Sequence, residues 1–305
     1  MKKYMGYIFL FLATNIFAMS CSEDDYLFPE EEIAVLVDTL QVDSAGVKLM
    51  SEAKNKLDVS ASYYGKYAYS SGKSVQGTTC IGDTIIQFYH DSYYAMFNFS
   101  DLSLIRFDKA AVLGSESPHC WIVSHYFTDA NDTIVMYAGF SSDRTYYLYK
   151  KHDTDMNLLR TFRFIPDYGG TPNYFVDYSN RKLYIMGGVT IGTTFMTIIH
   201  VYSFNGDQID SVGELEERCV MPCLVHTLQD VLFYDHYLYV SYGDGKNYLG
   251  YVRIDLRNWT YHDVSLKSDL PSEEPEGFFE HNGCFYMVTA PGKIYKIEEK
   301  EILDE

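Results

Sequence analysis

A single unit repeats five times along this 305-residue chain, and that repetition limits the folds open to it more than any other feature. Each copy begins at a turn signal, near Gly82, Asn131, Asn180, Asp235 and Asn282. It continues as an alternating segment: "DTIIQFYH", "NDTIVMYAGF", "RKLYIMGGV", "HYLYVSYGDG" and "GCFYMVTAPG". A second segment rich in Tyr, Phe and Ile follows each one: "YYAMFNF", "TYYLYK", "TIIHVYSF", "LGYVRIDL" and "KIYKI". Alternation with a period of two reads as half-buried strand. A recurrence at roughly 50 residues, several strands per copy, is the period of blades that cannot bury their faces alone and stack around an axis. The expected fold is therefore all-β, a five-bladed β-propeller of four-stranded blades forming one domain over residues 33–300. A β-sandwich would not repeat one unit five times. Helix-period patterning is confined to a stretch near Val47–Leu57. The last copy stops at "KIYKI", so an early strand, Ala34–Val42, is expected to complete the ring.

Aligned by their turns, "QGTTCIGDTIIQF" from Gln76 and "EGFFEHNGCFYMV" from Glu276 superpose without gaps, and "QDVLFYDHYLYV" from Gln229 keeps the same register. In a propeller the first strand of each blade lines the axis, so Gln76, Gln229 and Glu276 are expected to form part of a ring at one end of it. The second unit offers His119, beside Pro118, and His125. The third offers Asn173, Tyr174 and Asp177. Gly77 and Gly277 recur after the polar residue, consistent with crowding at the axis.

These residues resemble the five-bladed propellers related to teichoic-acid biosynthesis protein C and to receptor-binding domains of phage tails. The shared pattern is Gln76-Gly77 in the first blade, Pro118-His119 after a hydrophobic strand, Asp177 ahead of "RKLYIMGG", and Glu274–Gly277 in the last blade, and it covers roughly residues 60–298. The resemblance implies a polar axial site of the kind that holds carbohydrate. Where those relatives show His followed closely by Asn this chain has "PHCWIV", so no His–Asn pair carries over.

The first residues read as a targeting segment: Lys2 and Lys3, then an apolar run from Tyr7 to Ala18, shorter than the ~20 residues that span a bilayer. The run ends in Ala18-Met19-Ser20-Cys21, which resembles a bacterial lipobox, with residues 1–20 as the cleaved signal peptide and Cys21 as the acylated residue. Residues 21–32 form an acidic linker. Its Ser22-Glu23-Asp24-Asp25 resembles the export signal of Bacteroidetes-type lipoproteins that face outward from the outer membrane. The expected address is the outer membrane, through lipid on Cys21.

A net charge of −18 excludes general binding of polyanions, nucleic acid and anionic lipid included, and leaves neutral glycans, proteins and cations as partners of what is expected to be a monomer. The other five cysteines carry no paired CxxC spacing. They read as small buried residues, with a Cys219–Cys223 pair as the alternative.

A carboxyl at the ring raises three possibilities. Calcium wants several oxygen ligands, which Glu276, Gln76 and Gln229 could contribute, though no DxDxDG loop is present. A glycosidase needs two carboxyl groups flanking the scissile bond, for which Glu276 and Asp177 are the pair to examine. Alternatively, Glu276 hydrogen-bonds within the protein and fixes the blades. No nucleophile elbow, Walker loop, dinucleotide fingerprint or HExxH occurs. Trp121, Trp259 and Tyr168 are either sugar-stacking platforms or interblade packing. The reading that emerges is a non-catalytic binding module for a glycan or another cell-envelope ligand, with a carbohydrate hydrolase or lyase and a protein scaffold as alternatives.

Overall fold

The structure, a computed structural model, describes residues 47–302 apart from 68–71, 90–92, 112–118, 128–131, 141–144, 164–172, 178–179, 192–193, 205–211, 223–227 and 268. The signal segment, Cys21, the acidic linker, Ala34–Val42, Pro118, Tyr168 and Cys223 lie outside the described residues.

The chain folds as a five-bladed β-propeller, and the described residues contain no helix. Before the first blade come two short strands, β1 (Val47–Leu49) and β2 (Ser51–Glu52), and one long one, β3 (Lys56–Lys66). Blade one is β4 (Val75–Ile81), β5 (Thr84–Tyr89), β6 (Tyr93–Asn98) and β7 (Leu104–Lys109). Blade two is β8 (His119–Phe127), β9 (Thr133–Phe140), β10 (Thr145–His152) and β11 (Asp155–Arg163). Blade three is β12 (Asn173–Asp177), β13 (Lys182–Ile191), β14 (Thr194–Phe204) and β15 (Val212–Met221). Blade four is β16 (Leu228–Tyr234), β17 (Tyr237–Gly243), β18 (Leu249–Asp255) and β19 (Thr260–Ser265). Blade five contributes β20 (Pro275–His281), β21 (Cys284–Thr289) and β22 (Lys293–Ile302), and its fourth strand is β3.

Burial follows distance from the axis. β5 and β18 are buried on both faces because each face packs on a neighbouring blade, whereas the outer β7 and β3 contain no fully buried residue. Four apolar clusters fill the gaps between blades, as between blades three and four, where Leu183, Ile185 and Ile199 meet Val231, Leu238 and Val252. The expected turns are confirmed at Gly82, Asp235 and Asn282. Their left-handed φ values of 55°, 56° and 50° suit the tight connections between the first two strands of a blade, and Asn282-Gly283 is the favoured pair for a two-residue hairpin.

Two expectations need correction. The stretch near Val47–Leu57 is not helical: β1 adds a parallel strand to β15 and β2 a parallel strand to β19. The edges of blades three and four supply backbone partners that local periodicity cannot anticipate. The strand that closes the ring is not Ala34–Val42 but β3, antiparallel to β22 from the Lys56–Ile302 pair to the Lys66–Lys293 pair.

Candidate functional site

The five inner strands are β4, β8, β12, β16 and β20, and four of them carry an irregularity at one level of the ring. The ladder skips Gln76 between Val75 and Gly77, Trp121 between Cys120 and Ile122, Gln229 between Leu228 and Asp230, and Glu276 between Pro275 and Gly277. A residue left out of a ladder in this way is re-aimed relative to its neighbours. Gln76, Gln229 and Glu276 are thus structurally equivalent, at 4%, 6% and 4% exposure. Sequence reasoning placed His119 or His125 at this level in blade two; the register places Trp121 there instead. His119 begins β8 opposite Phe140, and its side chain lies outside the described residues. His125 sits farther along the strand, with Nδ1 2.7 Å from Thr79 Oγ1, and burial pushes its pKa down to about 4.

Asp177 does not join this group. It lies at the far end of β12, opposite Lys182, and its two carboxylate oxygens accept from the backbone N–H of Asn180 at 3.1 Å and from Asn180 Nδ2 at 2.6 Å. It caps a turn at the other end of the axis, so the proposed pairing of Glu276 with Asp177 across one glycosidic bond does not form. By register Asn173 stands at the level of Gly77 and Asp230, and the position equivalent to Gln76 in blade three lies outside the described residues.

The centre is held by a residue that sequence reasoning missed. Asp230 is fully buried, and its carboxylate accepts N–H bonds from four blades: Thr78 at 3.2 Å and Phe278 at 3.0 Å on one oxygen, Val231 at 2.9 Å and Val123 at 3.4 Å on the other. Inner strands present N–H groups toward the axis with no further strand to receive them, and one carboxylate satisfies four. Burial pushes the Asp230 carboxyl well above the usual range, against the pull of those four donors. The strands approach closely here. A Cβ on Gly277 would lie 2.4 Å from Thr78 Oγ1, so only glycine fits at that position.

The three glutamates before β20 have three different partners. Glu273 binds Lys293 and accepts from Thr289 Oγ1 at 2.9 Å. Glu274 accepts from Gln229 Nε2 at 2.7 Å, tying the loop before blade five to the inner strand of blade four. That loop is backed by the turn after β17, where Gly245 sits so close to it that a Cβ would lie 2.5 Å from the Glu273 carbonyl carbon. Asp244 shapes the turn. Burial raises its pKa, but the N–H groups of Asn247, Lys246 and Tyr248 outweigh this and hold it at about 2.

Glu276 is different. It has no hydrogen-bond partner among the described residues, and its pKa is pushed up to about 9 by burial first, then by the nearby Glu274 and Asp230 carboxylates. At neutral pH it is an uncharged carboxylic acid, able to donate or accept. Among the described residues no group of three or more His, Cys, Asp or Glu is placed to hold a metal ion. Cys219 is a free buried thiol, and Trp259 is core, its Nε1 donating to Glu217 at 2.9 Å, so Trp259 is packing and not a stacking platform.

No family model matches the chain, and no curated protein matches it. Among solved structures, glutaminyl cyclase from Myxococcus xanthus superposes with a TM-score of 0.52 at 11% identity, covering 85% of this chain and 100% of that one. Virginiamycin B lyase from Staphylococcus aureus is similar at a TM-score of 0.40 and 9% identity, covering 79% of this chain and 99% of that one. The WD40 repeats of RRP9 are similar at 0.43 and 8%, covering 80% of this chain and 100% of that one. At 11% identity the likeness to glutaminyl cyclase is one of fold alone.

Proposed function

We propose that the protein is a non-catalytic binding module of the cell surface that takes a polar ligand, a glycan or another envelope component, at the axial end formed by Gln76, Gln229 and Glu276. One observation carries this reading: Glu276 is buried, uncharged and without a partner at the level where three blades converge. The Glu276 oxygens are not among the fully buried unpaired side-chain atoms, so they stay within reach of solvent, and a ligand at this end would complete their hydrogen bonds. The catalytic alternative, a carbohydrate hydrolase or lyase, needs a second free carboxylate beside Glu276. The carboxylates nearest in charge are engaged, Asp230 by four backbone N–H groups and Glu274 by Gln229.

A thermal-shift screen with glycans and divalent cations, run on the protein and on Glu276→Gln, tests the site. A ligand that raises the parent's midpoint and not the variant's supports it. If every ligand acts equally on both, the axial reading fails. Membrane attachment through Cys21 is part of the same proposal, with the lipobox-like sequence as its support. Incorporation of a fatty-acid analogue is expected to vanish in Cys21→Ala, and retained labelling would contradict it.

A further inference from the structure

The axial groups can be counted as donors and acceptors. Gln229 Nε2 donates to the Gly243 carbonyl at 2.9 Å and to Glu274 Oε1 at 2.7 Å. Both partners accept only, so the amide orientation is fixed, both hydrogens are used, and Oε1 is left over. Gln76 Nε2 donates to the Val75 carbonyl at 2.9 Å, which fixes that amide in the same way and again leaves its oxygen. Glu276 has both oxygens unused. The remainder is two amide oxygens and one carboxyl, contributed by blades one, four and five at one level of the ring.

We infer that this axial end recognises a primary ammonium group, whose three N–H donors match acceptors from three blades, and that the ligand is an amine-bearing molecule and not a neutral sugar. The inference rests on the reading of this end as a binding site. A neutral sugar hydroxyl needs donors as well as acceptors, and the glutamine donors are mostly spent within the protein. The field also favours a cation: the chain carries −18, and the Glu274 carboxylate in the loop before β20 acts on Glu276. A hard metal cation fits less well. Calcium takes six to eight oxygens, and no described cluster of three or more His, Cys, Asp or Glu is placed to hold a metal.

The same geometry couples binding to a proton. Burial first, and then the nearby Glu274 carboxylate, keep Glu276 in its acid form. An ammonium group beside it offsets them and lets it ionise, so binding near pH 7 releases up to one proton per site.

The test measures the protein's thermal midpoint and binding heat at pH 7 with glucosamine, an amino sugar, and glycinamide, a stand-in for a peptide N-terminus. N-acetylglucosamine, tetramethylammonium and calcium chloride serve as comparisons. Titrations in phosphate and in imidazole, whose ionisation heats differ and neither of which is a primary amine, count the protons. The expected result is stabilisation by one or both amines, which also tells an amino-sugar ligand from a peptide amine. The comparison compounds should have no effect, affinity should fall at least about tenfold in Glu276→Gln, and close to one proton should be released. A urea midpoint of the variant no lower than the parent's shows that the loss is not misfolding. If N-acetylglucosamine or calcium binds in a Glu276-dependent way and the amines do not, ammonium recognition is overturned while the axial site stands. If no compound acts through Glu276, both are overturned.

Discussion

Four backbone N–H groups from four blades end on Asp230, so this one side chain determines whether the inner strands are satisfied where they crowd together. Asp230→Ala strands those donors in a site without water access and is expected to cost about 3–5 kcal/mol of unfolding free energy, read from urea titration. A loss under 1 kcal/mol would mean the ring does not depend on it. Glu276, one strand away, predicts a pH dependence whose sign follows from its raised pKa. The folded state keeps the Glu276 proton up to about pH 9, whereas the unfolded chain gives it up near 4.5. Folding therefore binds a proton between those values, and stability present below pH 4.5 is lost as pH rises, by at most about 1.4 kcal/mol per unit. Glu276→Gln removes that dependence, so its stability advantage over the parent should widen by about 2.7 kcal/mol between pH 6 and pH 8 in paired urea titrations. An advantage constant with pH would show that Glu276 is ionised in the fold. These two carboxylates were unequally legible in the sequence. Glu276 shares its register with Gln76 and Gln229, so alignment found it. Asp230 aligns with Gly77 and Gly277, and nothing in that column signals that the one side chain present reaches across the axis.

At the scale of elements, the inner strands were readable because turn, alternation and period all come from nearby residues. The segments that hold the ring from outside were not. β1 and β2 find their partners in β15 and β19, and Lys48 lies opposite Cys219, far along the chain. The short strap they form runs from the edge of blade three to that of blade four, with the Met50 N–H donating to the Val220 carbonyl at 2.8 Å and the Ala53 N–H to the Tyr261 carbonyl at 2.8 Å. Between the two strands the Met50 side chain enters the cluster shared by both blades and is almost wholly buried. The strap's hold therefore rests on Met50, a few backbone bonds, the Lys48–Glu217 ion pair and the packing of Val47 on blade three. Met50→Ala is expected to cost about 2–4 kcal/mol, within the usual range for a core Met→Ala cavity. A cost below 1 kcal/mol would mean that the strap lies on the blades without pinning them.

A closed ring has one seam, and here the seam lies within blade five, where β3 from the start of the described chain completes a sheet begun by β20, β21 and β22. Every other blade is continuous in sequence, so its strands can pair as a local unit. Blade five cannot, and its register with β3 joins residues more than 200 apart in the chain. The interface between blades four and five is reinforced by a charge cluster around the buried Arg253, which donates to the half-buried Glu299 at 3.1 Å and to the exposed Glu301 at 2.7 Å, and Tyr251 donates to Glu299. Glu299 and Glu301 lie on β22 at the stretch where it pairs with Val59 and Leu57 of β3. Loss of β3 therefore exposes the β22 edge and loosens the carboxylates that neutralise Arg253, and a buried cation without its partners is strongly destabilising. Two truncations separate closure from strapping. A chain starting at residue 55 lacks β1 and β2 but keeps β3, and should unfold in urea as one transition with the parent's slope and a midpoint lowered by the strap's contribution. A chain starting at residue 67 lacks the closing strand, and should show a shallower slope or a split transition, since the slope follows the surface that unfolds cooperatively. If the shorter chain keeps the parent's slope, the five blades cohere through their interblade clusters alone and β3 is an ornament on the last sheet.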